Sequence, residues 1–314
     1  MPAPNTATFE RPDLGAAYES FDHLSLMNGL VGLRVLRPFK VAAAAGNFSV
    51  VPPTEYHRDA AAVKRAPGAG YHRDELRFGQ QAWNCEERGA EELLDDRERA
   101  AYGYTGIRFD QIGADRSVAK VLRNLEIEVA GLVQDSSGLS GQATGAGTAW
   151  TTHASATPLK NLLAARTSFR NLNGVYPNAL VIEDRALVEM EQCAEYLDRV
   201  KYTQGPKDQS EMAGLAALLK VDEIIVAAST RNTAGLGLSP TFAGIWNPAI
   251  VSLVRVARSD DLREMTTGRT FMLEDLVIDE YRDESRRSDV VRARIDVQPN
   301  RIQPSLIWMV TGCV

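Results

Sequence analysis

The chain has 314 residues, 44% of them apolar, and 35 Lys and Arg against 41 Asp and Glu give a formal net charge of -6. That apolar share is ample for buried cores and excludes disorder throughout, while the acidic balance argues against a dedicated nucleic-acid binder. Three cysteines, Cys85, Cys193 and Cys313, are odd in number and widely separated, which fits a reducing cytosol better than a disulfide framework.

Residues 1 to 27 mix Pro, Asn, Thr, Asp and Glu with the isolated aromatics Phe9, Tyr18 and Phe21, the composition of an arm that gains order by lying on another surface. No basic region with an apolar core opens the chain and no run of about 18 apolar residues occurs in it, so neither secretion nor membrane spanning is expected. Phe48 to Val51 reads as a strand, residues 56 to 77 are polar and basic, and Pro67-Gly68-Ala69-Gly70 is a turn cluster. Gln81, Trp83 and Cys85 then alternate with Ala82 and Asn84, as in a half-exposed return strand. Such a two-stranded projection has too little apolar surface to stand alone and needs a partner beneath it.

Glu87 to Ala101 is charge-dense and helix-prone. From Asp115, read as an N-cap, Val118, Val121, Leu122, Leu125, Val129 and Leu132 recur at spacings of three and four, predicting a helix of about 20 residues and ~30 Å. Gln134 to Ala156 is rich in Gly, Ser and Thr. Its stretch Gly141 to Gly147 lacks the Lys-Ser/Thr ending of a phosphate loop and follows no parallel strand.

Thr157 and Pro158 predict the cap and first residue of a helix with Leu159, Leu162, Leu163 and Phe169 along one side and Asn173-Gly174 as its stop. Ala179 to Ile182 predicts a strand, Asp184 to Cys193 and Ser210 to Leu219 predict helices, and Glu223 to Ala228 and Ala249 to Val254 predict buried strands. Between the last two, Ser229 to Phe242 reads as a loop. The remainder is β in character: Thr270 to Tyr281, a charged turn at Asp283 to Asp289, the alternating Val291, Ala293, Ile295 and Val297, and Leu306 to Val310.

No catalytic constellation emerges. His23, His57, His72 and His153 are scattered, no Gly-x-Ser-x-Gly elbow exists, and the carboxylate pairs Glu91-Glu92, Asp95-Asp96 and Asp260-Asp261 are adjacent in sequence and diverge. No catalytic, cofactor or metal residue is assigned, no cofactor is expected, and the chain is read as a non-enzyme.

The ordered segments "LRVLRPFKVAAAAGNFSVVP", "PLKNLLAARTSFRNLNGVYPNALVIEDRALVEM", "YLDRVKYT", "MAGLAALLKVDEIIVAAS" and "IWNPAIVSLV" resemble the major capsid proteins of tailed bacteriophages that share the HK97 fold. The resemblance implies an α+β fold with an N-terminal arm (1 to 45), an extended β-hairpin or E-loop (46 to 86), a peripheral domain with a long spine helix and β-sheet (87 to 156 and 256 to 314), and an axial α/β domain (157 to 255). It implies self-assembly into hexamers and pentamers of an icosahedral head shell around double-stranded DNA, without sequence-specific contact and without a membrane. It also implies localisation in the virion after assembly in the bacterial cytoplasm. A scaffolding protein is expected as a separate chain, since no helical domain of that kind precedes the arm, together with portal and decoration proteins. Contact candidates between subunits are Phe9, Tyr18, Phe21, Tyr56, Lys64, Tyr71, Trp83, Asn232, Leu236 and Phe242. Some family members cross-link a hairpin lysine to a neighbouring asparagine. Lys64 is the only lysine of this hairpin, but no asparagine or glutamate aligns to the other roles, and it is read as a surface cation. The alternatives are an encapsulin-like protein compartment and, in a different class, a soluble α/β nucleotide-dependent enzyme using the Gly-rich stretch.

Overall fold

The computed structural model describes residues 9–10, 29–59, 64–65, 67–68, 70–71, 73, 75–102, 109–200, 210–235 and 237–314. The chain supplies β1 (Phe9–Glu10), the single turn α1 (Gly32–Val35), β2 (Pro38–Lys40), β3 (Ala45–Val50), the single turn α2 (Pro53–Tyr56) and β4 (Gly79–Asn84). β5 (Glu86–Asp95), α3 (Asp96–Tyr102) and the long α4 (Phe109–Val133) follow. Next come β6 (Ala143–Gly145), α5 (Pro158–Asn173), β7 (Ala179–Glu183), α6 (Asp184–Gln192), α7 (Ala194–Val200), α8 (Ser210–Leu219) and β8 (Glu223–Ala227). The last strands are β9 (Thr230–Asn232), β10 (Phe242–Gly244), β11 (Ile250–Val254), β12 (Arg269–Asp283), β13 (Ser288–Asn300) and β14 (Ile307–Thr311).

Two sheets carry the body. One runs β1-β12-β13-β5, with β2 also on the outer side of β12; the other runs β6-β14-β11-β7-β8. Alternation along β7 shows how the second is filled: Leu180 and Ile182 face α5, α6 and α8, while Ala179 and Val181 face Trp246 and the C-terminal end of α4. Both faces are covered, so the strand reads as a continuous apolar run.

At 25 residues α4 spans about 37 Å and joins the two layers. Ala114, Val118, Val121 and Leu125 pack on Val291, Ala293, Ile295 and Val297 of β13; from the next turn on, Val129, Ala130 and Val133 pack with Val31, Val35 and Leu36 against the second sheet. One apolar stripe thereby serves two cores.

Several sequence expectations need correction. Residues 87 to 95 are strand, not helix: Arg88, Ala90, Glu92 and Leu94 turn inward at period two, and the whole segment pairs antiparallel with β13. Ladder pairing with a strand about 200 residues away overrides the local helix propensity of the glutamates. α4 starts at Phe109, so Asp115 lies inside the helix and does not cap it. Thr157 stands at the N-cap of α5 but makes no side-chain bond there; Glu195 of α7 accepts from Leu159 N at 2.9 Å instead. β14 and β6, expected with the peripheral β region, are strands of the second sheet, β14 pairing antiparallel with β11 and parallel with β6. The Gly-rich stretch is therefore in part a sheet edge. Gly174, the expected stop of α5, has φ +71° and donates to Arg170 O at 2.7 Å, a left-handed cap for which glycine has no Cβ penalty.

Candidate inter-subunit surfaces

The hairpin β3/β4 grows from an aromatic base. Trp83 stacks on Phe271 with centroids 5.6 Å apart and planes at 19°, Phe48 lies 5.3 Å from Phe271, and Phe39 meets Phe271 edge-on at 6.1 Å. Trp83 Nε1 donates to Ala43 O at 3.0 Å. The sequence reading offered Trp83 as a contact to another subunit; its ring is used inside the chain, anchoring the hairpin. Above this base the side chains open to solvent: Tyr71 is 74% exposed, Phe78 59% and Tyr56 55%. Lys64 is exposed as well. Leu76 and Phe78 were not among the predicted contacts, because in sequence they sit in a charged stretch with no period to mark them.

The second surface is the two-stranded β9/β10 tip. Asn232 Oδ1 accepts from Ala234 N at 3.0 Å and Thr241 N at 2.9 Å, so its work is to shape the turn. Leu238 in this turn and Phe242 at the start of β10 are 71% and 70% exposed. Leu236 lies outside the described residues.

Third is the arm. The backbone of Phe9 and Glu10 pairs antiparallel with Glu280 and Asp279 of β12. Tyr18 and Phe21 lie outside the described residues.

Beneath these surfaces two buried polar centres fix the frame, and sequence periodicity marked neither. Glu126, on the apolar side of α4, accepts from Val31 N at 3.0 Å, Gly32 N at 2.6 Å and Trp246 Nε1 at 2.6 Å. Burial pushes its pKa up, against the opposing pull of the three N–H donors. Arg269 is fully buried and donates from Nη2 to the carbonyls of Ser259 at 2.8 Å and Asp261 at 2.7 Å, with its guanidinium 5.4 Å from the Phe39 ring centroid. Glu264 closes the same loop, accepting from Arg258 N and Ser259 N. Burial lowers the Arg269 pKa, and burial is likewise the first influence on Glu264, where the bonds from Ser259 and Arg258 outweigh it and leave the carboxyl below its ordinary value.

Among the described residues no group of three or more His, Cys, Asp or Glu could hold a metal ion, and no helix is long and apolar enough to cross a membrane. The three cysteines are buried and unpaired.

No protein-family model and no curated protein matches the chain. Solved structures do. A phage-related protein from Bordetella bronchiseptica RB50 superposes with a TM-score of 0.68 at 20% identity, covering 98% of both chains. The capsid of the cyanophage P-SCSP1u gives 0.58 at 12% identity over 99% of this chain and 90% of the other. A virus-like particle from Pyrococcus furiosus gives 0.54 at 12% identity over 93% and 99%. The chain thus has the α+β fold of viral capsid subunits. Within that class it is the HK97-like one, the fold its sequence segments resemble.

Proposed function

We propose that the protein is the major capsid protein of a tailed bacteriophage, a subunit that assembles with copies of itself into the icosahedral shell of the head. The observation that carries this reading is the coincidence of a capsid-type fold over nearly the whole chain with apolar side chains held out from the body on the hairpin and the β9/β10 tip. Tyr71, Phe78, Leu238 and Phe242 form no part of the four buried clusters. An enzyme gains nothing from such projections; a shell subunit buries them against its neighbours. In this reading residues 1 to 45 are the arm, 46 to 86 the E-loop, and the β9/β10 tip of the axial domain meets its copies at the capsomer centre. Hexamers and pentamers form with a separate scaffolding protein in the bacterial cytoplasm, portal and decoration proteins join the virion, and double-stranded DNA is enclosed without being gripped.

Electron microscopy of the concentrated purified protein, alone and with the scaffolding protein from the same genome, tests the reading. Closed shells or ring-shaped capsomers are expected; a protein that stays dispersed under both conditions refutes it. The alternative the sequence leaves open is an encapsulin-like protein compartment. Nuclease-protected DNA inside particles from infected cells decides for the phage head, and protein cargo decides for the compartment.

A further inference from the structure

Tyr176, in the turn between α5 and β7, carries the guanidinium of Arg166 3.9 Å above its ring and that of Arg170 at 5.4 Å. A third guanidinium meets the same turn: Arg255 donates from Nη1 to the Tyr176 carbonyl at 2.9 Å. Among the described residues none of the three has a carboxylate partner, and Nε of Arg166 is shielded from solvent without an acceptor. The sequence around them is equally one-sided, since residues 136 to 182 hold Lys160, Arg166 and Arg170 and not one Asp or Glu. The ring holds the two α5 guanidiniums together against their mutual repulsion, which prepares a fork for a carboxylate.

The opposite imbalance lies on the other sheet. Glu86 and Glu87, at the start of β5, are exposed and have no cation partner among the described residues. Across the ladder Glu87 faces Asp296 of β13, whose carboxyl is pushed up by burial and then by the charges of Glu87 and Glu274. An unneutralised acidic corner and an unneutralised arginine cluster thus sit on one chain.

We propose that these two patches meet between copies, the Arg166–Arg170–Tyr176 cluster of one subunit receiving the Glu86–Glu87 corner of a second copy of this chain. Two different patches that complement each other make a head-to-tail contact, the kind that closes rings when the rotation permits. The net charge of -6 disfavours a nucleic acid as the occupant, because three arginines would have to offset the repulsion of the whole chain. This contact rests on the shell reading, and the experiment separates the two.

Sedimentation velocity at low and high salt measures association of any size, and microscopy of the same samples shows whether the product is a shell. Three variants are compared with the wild type: R166E/R170E, E86R/E87R and the fourfold combination, each first checked by thermal melting to be folded. Each pairwise variant is expected to associate on the order of tenfold more weakly, the loss being greatest at low salt, and the fourfold swap to recover association. Wild-type association that gives neither shells nor ring-shaped capsomers refutes the shell reading alone. Unchanged association of both pairwise variants, failure of the folded fourfold swap to recover, a wild type that stays monomeric, or retention of duplex DNA that depends on Arg166 and Arg170 each overturns the contact.

Discussion

Glu126 on α4 and Trp246 ahead of β11 are joined by a buried hydrogen bond of 2.6 Å from the indole Nε1 to Oε1. The same carboxylate takes the N–H groups of Val31 and Gly32, so three chain segments far apart in sequence converge on one side chain. Gly32 is required by closeness: a Cβ there would stand 2.6 Å from Glu126 Oε2. Since α4 serves both cores, this junction ties its orientation to the start of α1 and to the second sheet.

Glu126→Gln replaces one acceptor by an amide donor and sets it against N–H groups that point inward, leaving at least one donor unsatisfied. We expect a loss of about 2 kcal/mol in urea unfolding of the unassembled subunit. The pH dependence has a definite sign. Burial raises the folded-state pKa above the ordinary 4.5, so the stability contributed by Glu126 is full below that value and is lost as pH rises through the raised pKa. The gap between wild type and variant is therefore widest in acid and narrows toward neutrality. A gap that widens as pH rises contradicts the assignment.

Trp83→Ala removes the ring that stacks on Phe271 and leaves the hairpin without its anchor. Trp83 is only half-buried, so the cost is set at ~2 kcal/mol, below the ~3–5 kcal/mol of a fully buried aromatic. Trypsin should cut the variant faster within residues 58 to 77, and Trp83→Phe should restore most of the protection. Equal cutting of all three proteins would show that the stack does not hold the hairpin.

What the sequence made legible follows from where the information is local. The run from Thr157 to Ala228 was readable because its helices carry an apolar stripe and its strands are short apolar runs bounded by Pro, Asn and Gly, and α5 ends at Gly174 as read. β5 was misread because pairing with β13, not its own glutamates, decides its conformation. The placement of β14 was hidden for the same reason: five apolar residues carry no address, and only the register with β11 assigns them to a sheet. Of the contact candidates, exposed aromatics such as Tyr71 and Phe242 could be named from their polar surroundings, whereas the inward use of Trp83 depends on Phe271, which lies far away in sequence.

The cysteines should behave as core residues. Burial pushes the thiols of Cys85 and Cys193 up and that of Cys313 up to about 12, so little thiolate is present near pH 8. N-ethylmaleimide followed by mass spectrometry is expected to leave Cys313 unmodified in the folded protein and to label all three sites after denaturation. Rapid native labelling of Cys313 would mean that the last strand opens readily.

Phe242→Ser tests whether the β9/β10 tip works between subunits. The side chain is 70% exposed and belongs to none of the four buried clusters, so its removal should leave subunit stability within ~0.5 kcal/mol of the wild type. A ring that inserts between copies at a capsomer centre would, by contrast, contribute ~1 kcal/mol or more at every contact, and the loss repeats around the ring of subunits. The variant is therefore expected to fold normally by circular dichroism and thermal melting while its yield of shells or capsomers falls sharply. The same loss is expected on a smaller scale for Leu238→Ser at the neighbouring exposed position. A folded Phe242→Ser protein that assembles at the wild-type yield would remove the tip from the assembly interface and leave the hairpin and the arm to account for it.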